Sequence, residues 1–265
     1  MSLSLKAKLL SNEPVGPEIF LLTLEAPAIA AEARPGQFVM LRVCPGPEPL
    51  LARPFSIHGV EGGKLLILYQ VKGKGTRLLS QARPGVELLT WGPLGRGFDL
   101  DAKRPVLVAG GMGIAPMAFA AERLEERGAA FEAFYGLAAK EALVAWDSVS
   151  GEGAFYLESW GWTGASEDGS VGHHGLVTEP LRERLKQGGE RPGAVLACGP
   201  LPMLKAVALL CAEFGVACQT SLEAPMACGV GACLGCAIPS AGGGYLRACQ
   251  EGPVMEASLV DWKKI

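Results

Sequence analysis

The sequence predicts a small antiparallel β barrel, then a doubly wound α/β unit with a parallel sheet, then a short cysteine-rich module. Three observations predict it. Residues 1 to about 100 alternate short β-rich runs with Pro/Gly turns, and from about residue 103 continuous apolar runs alternate with helical patterns. Near the C-terminus, Cys228, Cys233, Cys236 and Cys249 fall in a C-x4-C-x2-C-x12-C spacing. Domain boundaries are expected at 1–101, 102–222 and 223–265.

In the first unit the expected strands are Lys6–Ser11, Ile19–Glu25, Phe38–Val43, Phe55–Val60, Lys64–Val71 and Glu87–Trp91. The turns Pro35-Gly36, Pro45-Gly46, Gly62-Gly63 and Pro84-Gly85 punctuate them, and one short helix fits Thr76–Ala82. Short, regularly spaced strands with such turns suit a small barrel. In the second unit Pro105–Ala109 is an unbroken apolar run, the mark of a strand buried on both faces. A helix over Ile114–Arg127 follows, then strands Ala130–Tyr135 and Phe155–Glu158, helix Glu179–Gln187, strand Ala194–Ala197, helix Pro202–Phe214 and strand Val216–Ser221. Alternating β and α over such lengths requires crossover connections and hence a parallel sheet.

Composition narrows the function classes. Of 265 residues, 49% are hydrophobic and 19% charged, enough to bury sizeable cores. A net charge of −3 offers no basic footprint, so neither nucleic acid nor a membrane surface is an expected partner. No run reaches the roughly 18 apolar residues of a membrane span. The N-terminal MSLSLKAKLL lacks an export h-region, so a cytoplasmic location is expected.

The cysteine spacing carries the most specific chemistry. The first three cysteines reproduce the C-x4-C-x2-C run of plant-type [2Fe–2S] ligation. Gly229, Gly231 and Gly235 between them leave room for backbone N–H groups to turn toward cluster sulfurs. A structural zinc usually takes two C-x2-C pairs, and disulfides do not persist among intracellular thiols. Cys228, Cys233, Cys236 and Cys249 are therefore the expected iron ligands. Cys44, Cys198, Cys211 and Cys218 have no ligand spacing, and Cys211, in a helical apolar run, reads as a small buried hydrophobe.

Two further sets of residues suit phosphate. In the first unit Arg53-Pro54-Phe55-Ser56 offers a guanidinium fork and a hydroxyl, and Gly73-Lys74-Gly75-Thr76 leads a Gly-rich backbone into a helix start. In the second, Ala109-Gly110-Gly111-Met112-Gly113-Ile114-Ala115-Pro116 joins a strand to its helix, where glycines and the helix dipole favour a pyrophosphate. It departs from G-x-G-x-x-G in placing Pro116 at the last glycine position. Cys198-Gly199-Pro200 makes a second strand-to-helix turn at the same carboxyl edge. His173 and His174 read as a solvated loop and His58 as structural.

R-P-x-S, then Y-x-x-x-G-x-G-T, then G-P-L-G resembles the ferredoxin–NADP reductase superfamily. That resemblance implies an FAD-binding barrel, with Arg53, Pro54, Phe55, Ser56, Leu68, Tyr69, Gln70, Gly75 and Thr76 at the flavin. It also implies a pyridine-nucleotide site at Gly110, Gly111, Gly113, Gly199 and Pro200, with Cys198 beside the nicotinamide and flavin rings as the catalytic residue. DGSVGHHGLVT resembles a nucleotide-side loop of the same superfamily, with Ser170 as its candidate contact. No arginine cluster for a 2′-phosphate is evident, so NAD is preferred.

With the cysteine module added, the chain looks like the electron-transfer subunits of type B dihydroorotate dehydrogenases. GQFVMLRV, RPFSI, GKGTRLLS, GGMGIAPM, CGPLPMLKA and YLRACQEGPV carry that similarity. Ala227 departs from it, since glycine is expected beside the first ligand. The resemblance implies a relay in pyrimidine biosynthesis. A partner subunit oxidises dihydroorotate on FMN, and electrons pass through the [2Fe–2S] cluster and FAD to NAD+. It also implies a two-plus-two heterotetramer, with Cys228–Cys236 near the surface facing the partner. The other readings are a homologous subunit of a ferredoxin:NADP transhydrogenase, sulfhydrogenase or sulfite reductase, a zinc-stabilised scaffold without enzyme activity, and a self-sufficient oxidoreductase passing electrons to a soluble acceptor.

Overall fold

The computed structural model describes residues 3–43, 48–142, 161–187 and 190–265. The expected turn Pro45-Gly46, Cys44 and the expected strand Phe155–Glu158 lie outside these residues.

The N-terminal half forms a seven-stranded antiparallel half-barrel from β1 (Leu3–Gly16), β2 (Ile19–Glu25), β3 (Phe38–Leu41), β4 (Arg53–Ser56), β5 (Gly59–Glu61), β6 (Lys64–Gln70) and β7 (Glu87–Leu94). Their order across the sheet is β4-β3-β7-β1-β2-β6-β5. The single strand expected over 55–60 is two strands, broken at Ile57-His58. The break lets β4 pair with β3 and β5 pair with β6, at opposite edges of the sheet. Pro54 lies on the edge strand β4, where a missing N–H leaves no ladder bond unmade. Helix α1 (Pro27–Glu32), which the sequence reading did not anticipate, starts on Pro27. Helix α2 (Lys74–Ser80) begins two residues earlier than expected, because the Thr76 hydroxyl accepts the N–H groups of Lys72 and Gly73 and so opens the first turn.

The second sheet runs β11-β10-β9-β8-β12-β13-β16. It comprises β8 (Val106–Gly110), β9 (Glu132–Leu137), β10 (Thr163–Ser166), β11 (His173–His174), β12 (Ala194–Cys198), β13 (Ala217–Ser221) and β16 (Val254–Glu256). All pairings are parallel except β13 with β16. Helices α3 (Ile114–Glu126), α4 (Thr178–Lys186) and α5 (Leu201–Phe214) cover it. Alternation within β8 shows why the run is continuously apolar. Val106 and Val108 face the core shared with α4 and α5, while Leu107 and Ala109 face α3. His173 and His174, expected in a loop, form the exposed edge strand β11.

From β8 the chain moves outward through β9 to β11, then returns to β12 on the other side. The order therefore reverses between β8 and β12, and a doubly wound sheet opens its ligand crevice at the carboxyl ends of such a pair.

The C-terminal segment adds a hairpin of β14 (Ala237–Pro239) and β15 (Tyr245–Arg247) before returning β16 to the second sheet. One core cluster joins Met40 and Leu94 of the half-barrel, Val195 and Leu204 of the α/β unit, and Cys236 and Cys249 of this module. Phe119 of α3 packs into the half-barrel core. Among the described residues, no helix is long and apolar enough to cross a membrane.

Candidate functional site

A cleft of about 240 Å³ opens where the three units meet. Pro54, Phe55 and Ser56 of β4 and Leu68, Tyr69 and Gln70 of β6 line one wall, Met112 and Ala115 a second, and Ser221 to Ala224 with Met226 a third. Tyr69 is buried, donates its hydroxyl to Asn12 Oδ1 at 3.0 Å and makes an edge contact with the Phe55 ring. Burial, partly offset by the Asn12 bond, pushes its pKa up to about 12, so the phenol stays a neutral donor.

Next to this wall, Arg53 lies against α2. Its Nε would sit 3.0 Å from a Cβ at Gly75, so glycine there lets the guanidinium lie close against the helix start without shifting. The Arg53 Nη1 donates to the Leu51 carbonyl at 2.5 Å. The R-P-x-S and G-x-G-T motifs, about twenty residues apart in sequence, are thus one surface with Arg53, Gly75 and Thr76 together. A guanidinium thus stands beside the start of a helix, donor groups of the kind that suit an anion.

The two α/β turns also converge. A Cβ on Gly113 would lie 2.0 Å from the Cys198 carbonyl oxygen, and one on Gly110 would lie 3.0 Å from Pro200 Cδ. Gly111 has a φ of +50°, which turns the backbone sharply at the end of β8. Gly199 closes on Gly110 from the β12 side, its Cβ position 3.0 Å from the Gly110 nitrogen. Glycine at these positions lets the β8 and β12 turns touch at the switch point. Cys198 is 3% exposed. Burial, reinforced by the charge of Glu223, raises its pKa to about 12, against a weaker opposing bond with Ser221. Cys198 is therefore a neutral thiol and not a nucleophilic thiolate.

Ser170 sits at the carboxyl edge of β10. Its hydroxyl accepts the Lys140 N–H at 2.8 Å and donates to Asp168 at 2.6 Å. His173 pairs with Glu179 at 2.7 Å on the exposed side.

The four candidate ligand cysteines form two pairs. Cys236 Sγ lies 3.3 Å from Cys249 Sγ, both buried. Cys228 receives the Cys233 N–H at 3.5 Å, and Cys233 is exposed. Cys236 thus lies in the core and not at the surface with Cys233, because Ile238 and Ala248 beside it join the shared core. Backbone N–H groups already aim at sulfur: Val230 at Cys228 (3.4 Å) and Gly231 at Cys249 (3.1 Å). Burial opposes ionisation of Cys228, but bonds from Val230, Cys233 and Ala232 outweigh it and bring its pKa down to about 6. Gly229, at φ +71°, turns the loop against the half-barrel. A Cβ there would lie 2.5 Å from Met40 Cγ. Among the described residues, no three His, Cys, Asp or Glu side chains close around one metal position. Two sulfur pairs with inward N–H donors fit a two-iron cluster better than one tetrahedral zinc.

Comparison with known proteins agrees with this geometry. Residues 107–208 match the oxidoreductase NAD-binding domain family. Residues 223–261 match the iron-sulfur cluster binding domain of dihydroorotate dehydrogenase B. The electron transfer subunit of dihydroorotate dehydrogenase B (NAD(+)) from Caldanaerobacter subterraneus subsp. tengcongensis is 39% identical over 98% of this chain and 99% of its own length. The chain belongs to the family of dihydroorotate dehydrogenase B electron transfer subunits. The family member from Desulforamulus reducens is 37% identical over 99% of this chain and 100% of its own. Among solved structures, that of an NADH-dependent reduced ferredoxin-NADP oxidoreductase matches with a TM-score of 0.82 and 29% identity, covering 98% of this chain and 91% of the other.

Several residues at the site escaped the sequence reading. Met112, Ser221 and Met226 line the cleft, and Trp91 donates its indole N–H to the Cys228 carbonyl at 3.2 Å. Ser221 ends a strand at the carboxyl edge, and Met226 precedes the first ligand by two residues, so position in the fold was the available signal for both. Trp91 carries no motif.

Proposed function

We propose that this chain takes electrons from dihydroorotate oxidation on a catalytic FMN subunit and delivers them to NAD+, as a step of pyrimidine biosynthesis. The observation that carries this reading is the cleft itself. The R-P-x-S wall, the start of α3 and the segment leading into Cys228 all meet there, with Met226 lining the cleft two residues before the first ligand. When bound, FAD exchanges two electrons with NAD(H) and single electrons with the [2Fe–2S] cluster.

Arg53, Gly75 and Thr76 hold the flavin diphosphate, and Ser56, Gln70 and Tyr69 contact the ring from the half-barrel side, with Leu68, Pro54 and Phe55 excluding water. Gly110, Gly111 and Gly113 let the nucleotide diphosphate approach the start of α3, while Gly199 and Pro200 shape the floor where the nicotinamide docks. Cys198, a neutral buried thiol, fills the space beside the two rings without competing as a base. Cys228, Cys233, Cys236 and Cys249 would hold the iron–sulfur cluster. The boundaries 1–101, 102–222 and 223–265 serve as the units of this relay, and β16 ties the third to the second.

The exposed Cys233 is proposed to face the catalytic subunit in a two-plus-two heterotetramer in the cytoplasm. A transhydrogenase role is less well supported, since 29% identity to an oxidoreductase of that type stands against 39% to the electron transfer subunits. Anaerobic mixing of the loaded chain with NADH tests the relay. Flavin absorbance should bleach and a [2Fe–2S] spin signal should follow. A bleached flavin beside a cluster that stays oxidised would contradict it.

A further inference from the structure

Arg247, at the end of β15, is built into the cluster loop in a way its surface position does not require. Its Nη2 donates to Glu251 Oε1 at 2.6 Å and its Nε to Oε2 at 3.1 Å, while its backbone N–H reaches Oε2 at 2.7 Å. The remaining arm, Nη1, points at the Gly231 carbonyl oxygen at 3.5 Å. Gly231 in turn donates its own N–H to Cys249 Sγ at 3.1 Å. A chain of polar groups therefore runs from a carboxylate, through a guanidinium and one glycine, to a ligand sulfur.

Two consequences follow from elementary electrostatics. A cation on the Gly231 carbonyl holds that residue in place, and with it the bond its N–H makes to Cys249. The same charge stands two residues along the chain from Cys249. Reduction adds an electron to a group already held by four thiolates, and hydrogen bonds and nearby charge set how readily it is accepted. A part-buried i,i+4 ion pair adds little to stability by itself, so stability alone does not account for the third contact, to Gly231. Gly231 also admits the contact sterically, since a Cβ there would meet Gln250 Cγ at 2.7 Å and Arg247 Nη1 at 3.3 Å.

We propose that Arg247, gripped by Glu251, is a positioning residue that raises the reduction potential of the iron–sulfur cluster by holding Gly231 against Cys249 and by its own charge. This rests on the reading of the four cysteines as a [2Fe–2S] site. In the relay, a raised potential favours electron arrival from the partner over loss of electrons to solvent oxidants.

The test is an anaerobic redox titration of the FAD- and iron-loaded chain, followed by the cluster's spin signal, on wild type, Arg247→Gln and Arg247→Lys. Arg247→Gln is expected to keep its iron content and flavin potential while its cluster midpoint shifts downward. Arg247→Lys, which keeps the charge but loses the planar fork, should fall between the two. An Arg247→Gln midpoint at or above wild type, with full iron content, overturns the proposal. Should Arg247→Gln fail to take up iron, an Arg247→Lys midpoint at or above wild type overturns it equally. A wild-type chain with no [2Fe–2S] signal would overturn both the cysteine reading and the proposal, whereas a normal signal with an unmoved midpoint overturns the proposal alone.

Discussion

Arg53 and His58 show how single side chains serve the cleft and the joint beside it. Arg53 reaches α2 because Gly75 has no Cβ to block it. Arg53→Ala should weaken FAD binding by about 2 kcal/mol, the worth of a charge-assisted bond, or roughly thirtyfold in Kd. Flavin fluorescence on dilution measures this, and unchanged retention would remove Arg53 from the flavin site. His58 is 1% exposed and its Nδ1 lies 2.9 Å from the Ala115 carbonyl oxygen, linking the half-barrel to α3. Burial, against the opposing Ala115 bond, lowers its pKa to about 4. The unfolded chain, with a value near 6.5, binds this proton more readily. Stability from the neutral ring is therefore complete above about pH 6.5 and is lost as pH falls toward 4, by about 3 kcal/mol at most. Urea unfolding at pH 7 and pH 5 should show a larger drop for wild type than for His58→Gln. Equal drops would mean that the ring is not held neutral. The iron–sulfur module was legible because the spacing of its four cysteines is itself a sequence pattern. Trp91 and Arg247 were not, because a hydrogen bond to a carbonyl leaves no pattern in sequence.

The turns between elements do the joining. Strand and helix positions were legible wherever period and punctuation agreed, as in β2, α3 and α5, with ends differing by a residue or two. The break between β4 and β5 was not, since apolar character continues through Ile57 and only the pairing partners change. Nor was β11, which is two exposed histidines held by a ladder. At the switch point, Gly113→Ala would force a methyl toward the Cys198 carbonyl, 2.0 Å away. The β8 and β12 turns would have to part, at a cost of about 3 kcal/mol. NADH-driven flavin bleaching should slow at least tenfold while FAD stays bound, and an unchanged rate would show that this approach does not shape the nucleotide site. On the other side of the cleft, the β7 indole pins the Cys228 loop to the half-barrel. Trp91→Phe keeps the ring but loses about 1 kcal/mol of hydrogen bonding. Iron release to a chelator should accelerate about fivefold, and an unaltered release rate would show that the pin does not hold the loop.

Across the whole molecule, one of the three core clusters draws on all three units and packs them against one another. Met40 and Leu94 of the half-barrel pack with Cys236 and Cys249 of the cysteine module in one cluster, and β16 completes the α/β sheet. Composition and motif order pointed to three modules in a row. The return of β16 and the common core depend on packing between distant segments, which periodicity does not report. In the cysteine loop Cys233 is exposed together with its neighbours Val230, Ala232, Leu234 and Gly235, while Cys236 and Cys249 are buried. Under the proposed function, that face is where the catalytic subunit hands over electrons. The most direct test combines the loaded chain with its cognate dihydroorotate dehydrogenase catalytic subunit, dihydroorotate and NAD+ under anaerobic conditions and follows NADH absorbance. NADH should form with both chains present and fail to form when Cys233→Ala replaces the wild-type chain. Full loading of both flavins and the cluster with no NADH formed, or NADH formed equally well with Cys233→Ala, would contradict the relay.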